Sequence, residues 1–253
     1  MVQLPATIEQ VVDVVRRQLR SMELDRTVRR IPGNEVVALR DFLGPQADRI
    51  LSRLGLIPEV VRRRRARRFV EDLRLLNDVL ADTAFGERYW VWGGMLLGWA
   101  REGRLLLHDI GDADFCYDAA DEELLDNAEP ALLAAGFRRW YSFRDNHGEL
   151  TERIFIRRGA LFEFFRLHPA EQDMQEFHLY GADSTGLVEA VGRLPRLDLG
   201  PFDFLGRTWL KPVDHEKILE LHYGDWRTPD PTWSYLDDNA IVRTREWRPV
   251  GAR

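Results

Sequence analysis

Residues 89–117, YWVWGGMLLGWAREGRLLLHDIGDADFCY, restrict what this chain can fold into more than any other stretch. An apolar run at 89–92 stops abruptly at Gly93 and Gly94. Met95, Leu96, Leu97, Trp99 and Ala100 follow in a helix-like pattern closed by Gly103, and a second apolar run at 105–107 leads to Asp112 and Asp114. Side chains at i and i+2 of a strand share a face, so this spacing predicts two carboxylates aimed at one point. Like charges that close repel each other, and a hard divalent cation with oxygen ligands relieves the repulsion. Glycines where a strand turns into a helix let backbone N–H groups approach a phosphate, with the positive end of the helix dipole behind them. An acid pair beside a phosphate cradle is the equipment of phosphoryl or nucleotidyl transfer. Each feature alone has a plain structural use, glycine in turns and aspartate as a capping or solvated group. Their order is what points to chemistry.

Downstream, a helix begun by Asp121 and stopped by Gly136 precedes strand-like runs at 137–143, 150–157 and 160–167, the last two joined by Arg158 and Gly159 in a hairpin turn. Within ALFEFFRL, Glu163 alternates in phase with Leu161 and Phe165. An unpaired carboxylate among apolar neighbours is costly, and the cost vanishes if Glu163 reaches a metal shared with Asp112 and Asp114. The competing reading is an edge-strand glutamate that points to water, since strand faces are not fixed by sequence alone. Arg101 offers a fork suited to phosphate oxygens, or an ion pair with Glu102.

The segment GGMLLGWAREGRLLLHDIGDADFCY resembles the signature of the LicD/fukutin family, within the nucleotidyltransferase superfold. Gly94, Leu96, Leu97, Gly98, Arg101, Asp112 and Asp114 carry the resemblance, with Met95 and Leu107 departing from the family pattern. Tyr223, Gly224, Trp226, Pro229 and Trp233 extend it, so that it spans residues 69–239. It implies an α+β fold, a nucleotidyltransferase-type mixed sheet flanked by helices. It further implies a phosphotransferase that moves a phosphorylated alcohol, of the phosphocholine or polyol phosphate type, from a CDP-linked donor to a sugar or glycan hydroxyl. Under this reading Asp112, Asp114 and Glu163 are the catalytic acids and hold Mg²⁺ or Mn²⁺, while Gly93, Gly94 and Arg101 bind the donor's phosphates. Two alternatives share the fold: an adenylyltransferase of the antibiotic-modifying or toxin type, and a catalytically inactive scaffold.

The remaining sequence sets bounds. At 253 residues the chain suits a catalytic domain at 58–253 with an N-terminal helical appendage at 1–57, where Thr7 and Gln10 form a capping box and Ile8, Val12, Val15 and Leu19 recur at helical spacing. Those helices would pack on the domain or pair with a second copy. A net charge of −6 offers no general attraction to nucleic acid, and the arginine run at 62–68 continues into an amphipathic helix carrying Phe69, Leu73, Leu76 and Leu80, which reads as a solvated face. Cys116 is the only cysteine, which removes disulfides and cysteine-based zinc sites and reads as a small buried side chain. No apolar run reaches membrane-spanning length and the first residues lack a secretory pattern, so the expected location is the cytoplasm. Residues 168–200 read as loop-rich, and His215 and His222, on a helix begun by Asp214, read as solvated or capping groups.

Overall fold

The computed structural model describes residues 59–182, 186–230 and 233–248. The expected N-terminal helices at 1–57 lie outside these residues. Helix α1 (Glu59–Ala81) buries Phe69, Leu73, Leu76 and Leu80, one stripe at helical spacing. Arg63, Arg64, Arg67 and Arg68 lie on its exposed side, with Arg67 Nε 3.7 Å from Glu71. Asp72 is buried on the same helix and accepts hydrogen bonds from Arg157 Nε (2.8 Å) and Arg158 Nη2 (2.6 Å), which fasten α1 to a hairpin far along the chain.

From α1 the chain enters β1 (Tyr89–Val91), α2 (Gly93–Glu102), β2 (Asp112–Asp118) and α3 (Glu122–Ala134). Gly103 ends α2 and Gly136 follows α3, both at positive φ (65° and 86°). Then come β3 (Arg138–Arg144), β4 (Leu150–Arg157) and β5 (Ala160–Pro169), close to the bounds expected from sequence. Arg158 and Gly159 both have positive φ (47° and 84°), the two-residue turn whose twist suits a hairpin. β2 pairs antiparallel with β1 and parallel with β5, and β5 pairs antiparallel with β4. Strand β2 therefore sits inside the sheet.

Residues 174–195 depart from the loop-rich expectation. They form β6 (Met174–Ala182) and β7 (Leu187–Pro195), paired over their whole length. Polar residues break the apolar alternation here because they are satisfied inside the sheet: buried His178 bonds buried Glu189 (2.6 Å), and Arg193 pairs with Glu176 (2.5 Å). The last residues of β5 join this sheet through His168↔Glu176 and Pro169↔Gln175, and β10 (Ile241–Glu246) adds to β7. The described residues thus contain an eight-stranded mixed sheet in the order β1-β2-β5-β6-β7-β10, with β4 and then β3 attached at β5.

A separate hairpin, β8 (Leu199–Phe204) and β9 (Arg207–Pro212), packs Trp209 face to face with Phe115 (5.9 Å) and edge-on to Tyr89. Phe115, Tyr117, Phe155, Phe162 and Phe164 fill the core between this hairpin, α1 and α3. Cys116 is buried, and its thiol is pushed well above its usual pKa by burial and then by the charges of Asp114, Asp118 and Glu152. The fold is mixed α+β with few helices, and no helix among the described residues is long and apolar enough to cross a membrane. Helix α4 (His215–Tyr223) follows β9 and carries the chain back toward the start of α2.

Candidate metal centre

The strand-to-helix turn expected at Gly93 forms because Trp92 is extended and Gly93 takes φ 51°, a left-handed value that favours glycine. Trp92 N donates to Asp114 O (3.0 Å), so the turn is stitched to β2 at the acid pair. Gly94 N donates to Asp114 Oδ2 (3.2 Å). A Cβ on Gly93 would overlap that same carboxylate oxygen, and a Cβ on Gly94 would overlap Asp109 Oδ2. Both glycines therefore make room for carboxylates, and at least one of their N–H groups serves Asp114. That is closer packing between turn and acids than the phosphate cradle alone requires.

Asp112 and Asp114 stand on one face of β2, both half-buried, with Ala113 buried between them on the other. In the parallel pairing of β2 with β5, Asp114 lies directly opposite Glu163. Oxygens of Asp112, Asp114 and Glu163 all fall within 4.8 Å of one another. Three carboxylates at that separation form a donor set that could hold a metal ion: the ligands are hard, anionic and already convergent. Glu163 is not on an edge strand, because β5 is flanked by β2 and β4, and its side chain is half-buried.

Tyr223 ends α4. Burial pushes its phenol well above the usual range, and the charges of Asp114, Asp109 and Asp238 add to this while Arg101 opposes it. Tyr223 is thus within electrostatic reach of Asp114, Asp109 and Arg101. The Arg101 side chain is 14% exposed, with Nη2 3.6 Å from Glu102 Oε1, so the expected ion pair is present but long. Its Nε is buried and has no hydrogen-bond partner among the described residues. Trp233 packs on Tyr223 (4.6 Å) and Trp226 is buried, so the aromatic tail pins α4 in place. His222 is neither solvated nor a cap: it is buried, bonds Asp238 (2.5 Å) and meets Trp92 edge-on at 4.9 Å.

Two acids beside this centre escaped the sequence reading. Asp109 leans on Gly94 from the short turn Leu107–Asp109; its signal was the acid-rich run HDIGDAD. Glu152, 3% exposed, hydrogen-bonds Glu163. Burial pushes its carboxyl well above the ordinary glutamate range, with Asp114 and Asp112 adding to the effect and the bond to Glu163 opposing it. Its signal was the same as that of Glu163, a carboxylate in phase with Leu150, Ile154 and Ile156 along a strand. No protein-family model matches this chain, and no curated protein is significantly similar to it.

Proposed function

We propose that this chain is a metal-dependent phosphotransferase of the nucleotidyltransferase type, which moves a phosphorylated alcohol from a CDP-linked donor to a sugar or glycan hydroxyl. The observation that carries the reading is the convergence of Asp112, Asp114 and Glu163 within 4.8 Å, against a glycine turn that opens α2. The choice of a CDP-linked donor rests on the resemblance of residues 93–117 and of the Tyr223–Gly224…Trp233 tail to the LicD/fukutin signature.

Asp112, Asp114 and Glu163 would hold Mg²⁺ or Mn²⁺, which when bound supplies positive charge to the phosphate under attack and to the attacking hydroxyl. The protein's own part is positioning. Asp114 is fixed by Gly94 N–H and by the backbone bond from Trp92 to its own strand position, so its carboxylate is set before a ligand arrives. Arg101 brings a guanidinium with unused donor capacity to the same side as Tyr223, suited to a phosphate oxygen. In the reaction, the acceptor hydroxyl gives up its proton to solvent as its oxygen bonds to the phosphorus that carries the alcohol, the bond from that phosphorus to the bridging oxygen breaks, and the bridging oxygen leaves on CMP.

The test is a thermal-shift panel of CDP, CTP, ADP and ATP, each with and without Mn²⁺, followed by CMP release from CDP-choline and CDP-ribitol with sugar acceptors. Stabilisation by cytidine nucleotides that requires Mn²⁺ is the expected result. Preference for ATP would move the reading to adenylyl transfer, and no response to Mn²⁺ in any combination would sink it.

A further inference from the structure

Glu152 stands on β4 in phase with Ile154 and Ile156, members of an apolar cluster that also contains Phe143, Leu161 and Tyr180. The strand registers place Phe143 opposite it on one side and Phe165 on the other, while Ile154 lies opposite Glu163. Glu152 is therefore the diagonal neighbour of Glu163 on the same face of the sheet, within reach of a long side chain. The neighbouring Thr151 hydroxyl is engaged elsewhere, with Tyr180 Oη (2.8 Å). The side chains of Glu152 and Glu163 meet across this face, joining β4 to β5 at the acid cluster. Glu152 itself is not among the three acids whose oxygens converge.

We propose that Glu152 is a positioning residue of the metal centre: seated in the apolar side of β4, its carboxyl holds the Glu163 side chain in the rotamer that faces Asp112 and Asp114. Glutamate has more rotatable bonds than aspartate, so of the three acids Glu163 has the most conformational freedom to lose. Partners that orient a ligating carboxylate commonly change metal affinity by about 10–100-fold when removed. This inference rests on the metal-centre reading above.

The experiment is Mn²⁺ affinity by titration calorimetry on the full chain and on Glu152→Met, Glu152→Gln, Glu163→Ala and the double variant Glu152→Met/Glu163→Ala, with melting temperatures measured in parallel. Methionine fills the volume without a hydrogen bond, so Glu152→Met is expected to weaken Mn²⁺ about 10-fold or more. Glutamine keeps an N–H donor toward Glu163, so Glu152→Gln is expected to stay within about threefold of the parent. In the Glu163→Ala background, Glu152→Met is expected to add no further loss, because its target is gone. Parent-like affinity in Glu152→Met overturns the inference while the metal reading stands. An equal loss in Glu152→Gln also overturns it, because the charge and not the hydrogen bond would then matter and Glu152 would be a ligand. Should Glu152→Met fail to fold, Glu152→Gln still decides, since a tenfold loss there rejects positioning. A parent chain that binds no Mn²⁺ rejects the metal reading and this inference together.

Discussion

Glu189 on β7 and Glu152 on β4 are both strand glutamates buried in one sheet, 0% and 3% exposed, yet their neighbours differ in sign. Burial would raise Glu189, but hydrogen bonds from His178 and Arg245 reverse this and hold it down at about 2. Around Glu152 the neighbours are acids, and burial together with Asp114 and Asp112 drives it up. The first cluster is complete within the protein: a buried charge with the Arg245 guanidinium and a bond to His178 in place. The second gathers negative groups at one end of β2 and β5, an arrangement that stability alone does not favour. Concentrated like charge in a fold that otherwise pairs its buried acids fits the proposed metal centre.

The sharpest way to break the comparison is to neutralise the cluster that the protein completes. Glu189→Gln leaves His178 and Arg245 facing an amide, and about 3–5 kcal/mol of unfolding free energy should be lost in urea titrations. The same group sets an acid limb. Its folded pKa lies below the ordinary 4.5, so its contribution is full above that value and is lost as pH falls from 4.5 toward about 2. Glu189→Gln should therefore have a flatter stability profile over that interval, and an unchanged slope would contradict the assignment.

Next in size is Glu163→Gln, which keeps shape and folding while turnover of the proposed reaction should fall by about 10²–10³. Retained turnover with retained Mn²⁺ affinity would remove Glu163 from the centre. Gly93→Ala is expected to cost about 1–2 kcal/mol because of its φ of 51°, and its Cβ overlaps Asp114 Oδ2, so Mn²⁺ affinity should fall with stability. A variant that is destabilised but binds Mn²⁺ like the parent would show that Asp114 can move without consequence. The smallest effect is expected for Glu152→Gln, within about 1 kcal/mol of the parent at neutral pH, because a neutral amide suits surroundings that already disfavour a charge. The same chemical change at Glu189 and Glu152 should thus differ several-fold in cost, and equal costs in paired melts would erase the distinction.

Much of the site end of the fold was legible in the chain. A glycine pair between a short apolar run and a helical pattern points to a strand-to-helix turn, and the i, i+2 spacing of Asp112 and Asp114 puts them on one face once the segment is a strand. Glu163 was legible because a carboxylate in phase with Leu161 and Phe165 needs a reason. The same argument applies to Glu152, in phase with Leu150, Ile154 and Ile156, but its relation to Glu163 depends on cross-strand register, which a single strand does not reveal. Strands β6 and β7 were illegible for a related cause. Their buried His178, Gln175 and Glu189 look like surface residues until other strands supply the bonds that admit them, His178 with Glu189 across β6–β7 and Gln175 with Asp118 on β2. His222 failed in the same way, since Asp238 lies 16 residues further on.

The register of β2 against β5 carries a last consequence, for how the molecule assembles. Asp114 and Glu163 are opposite each other in a parallel pair but about 50 residues apart in the chain. Their pairing cannot zip from a local turn, as the β4–β5 hairpin can at Arg158 and Gly159; it must wait until α3, β3 and β4 have been folded back across the gap. The acids of β2 and β5 are therefore joined by a non-local pairing, the class of contact that loop closure makes slow to form. An ion that needs all three has no template on the unfolded chain, and so it can act as a latch on the finished fold but not as a seed for it.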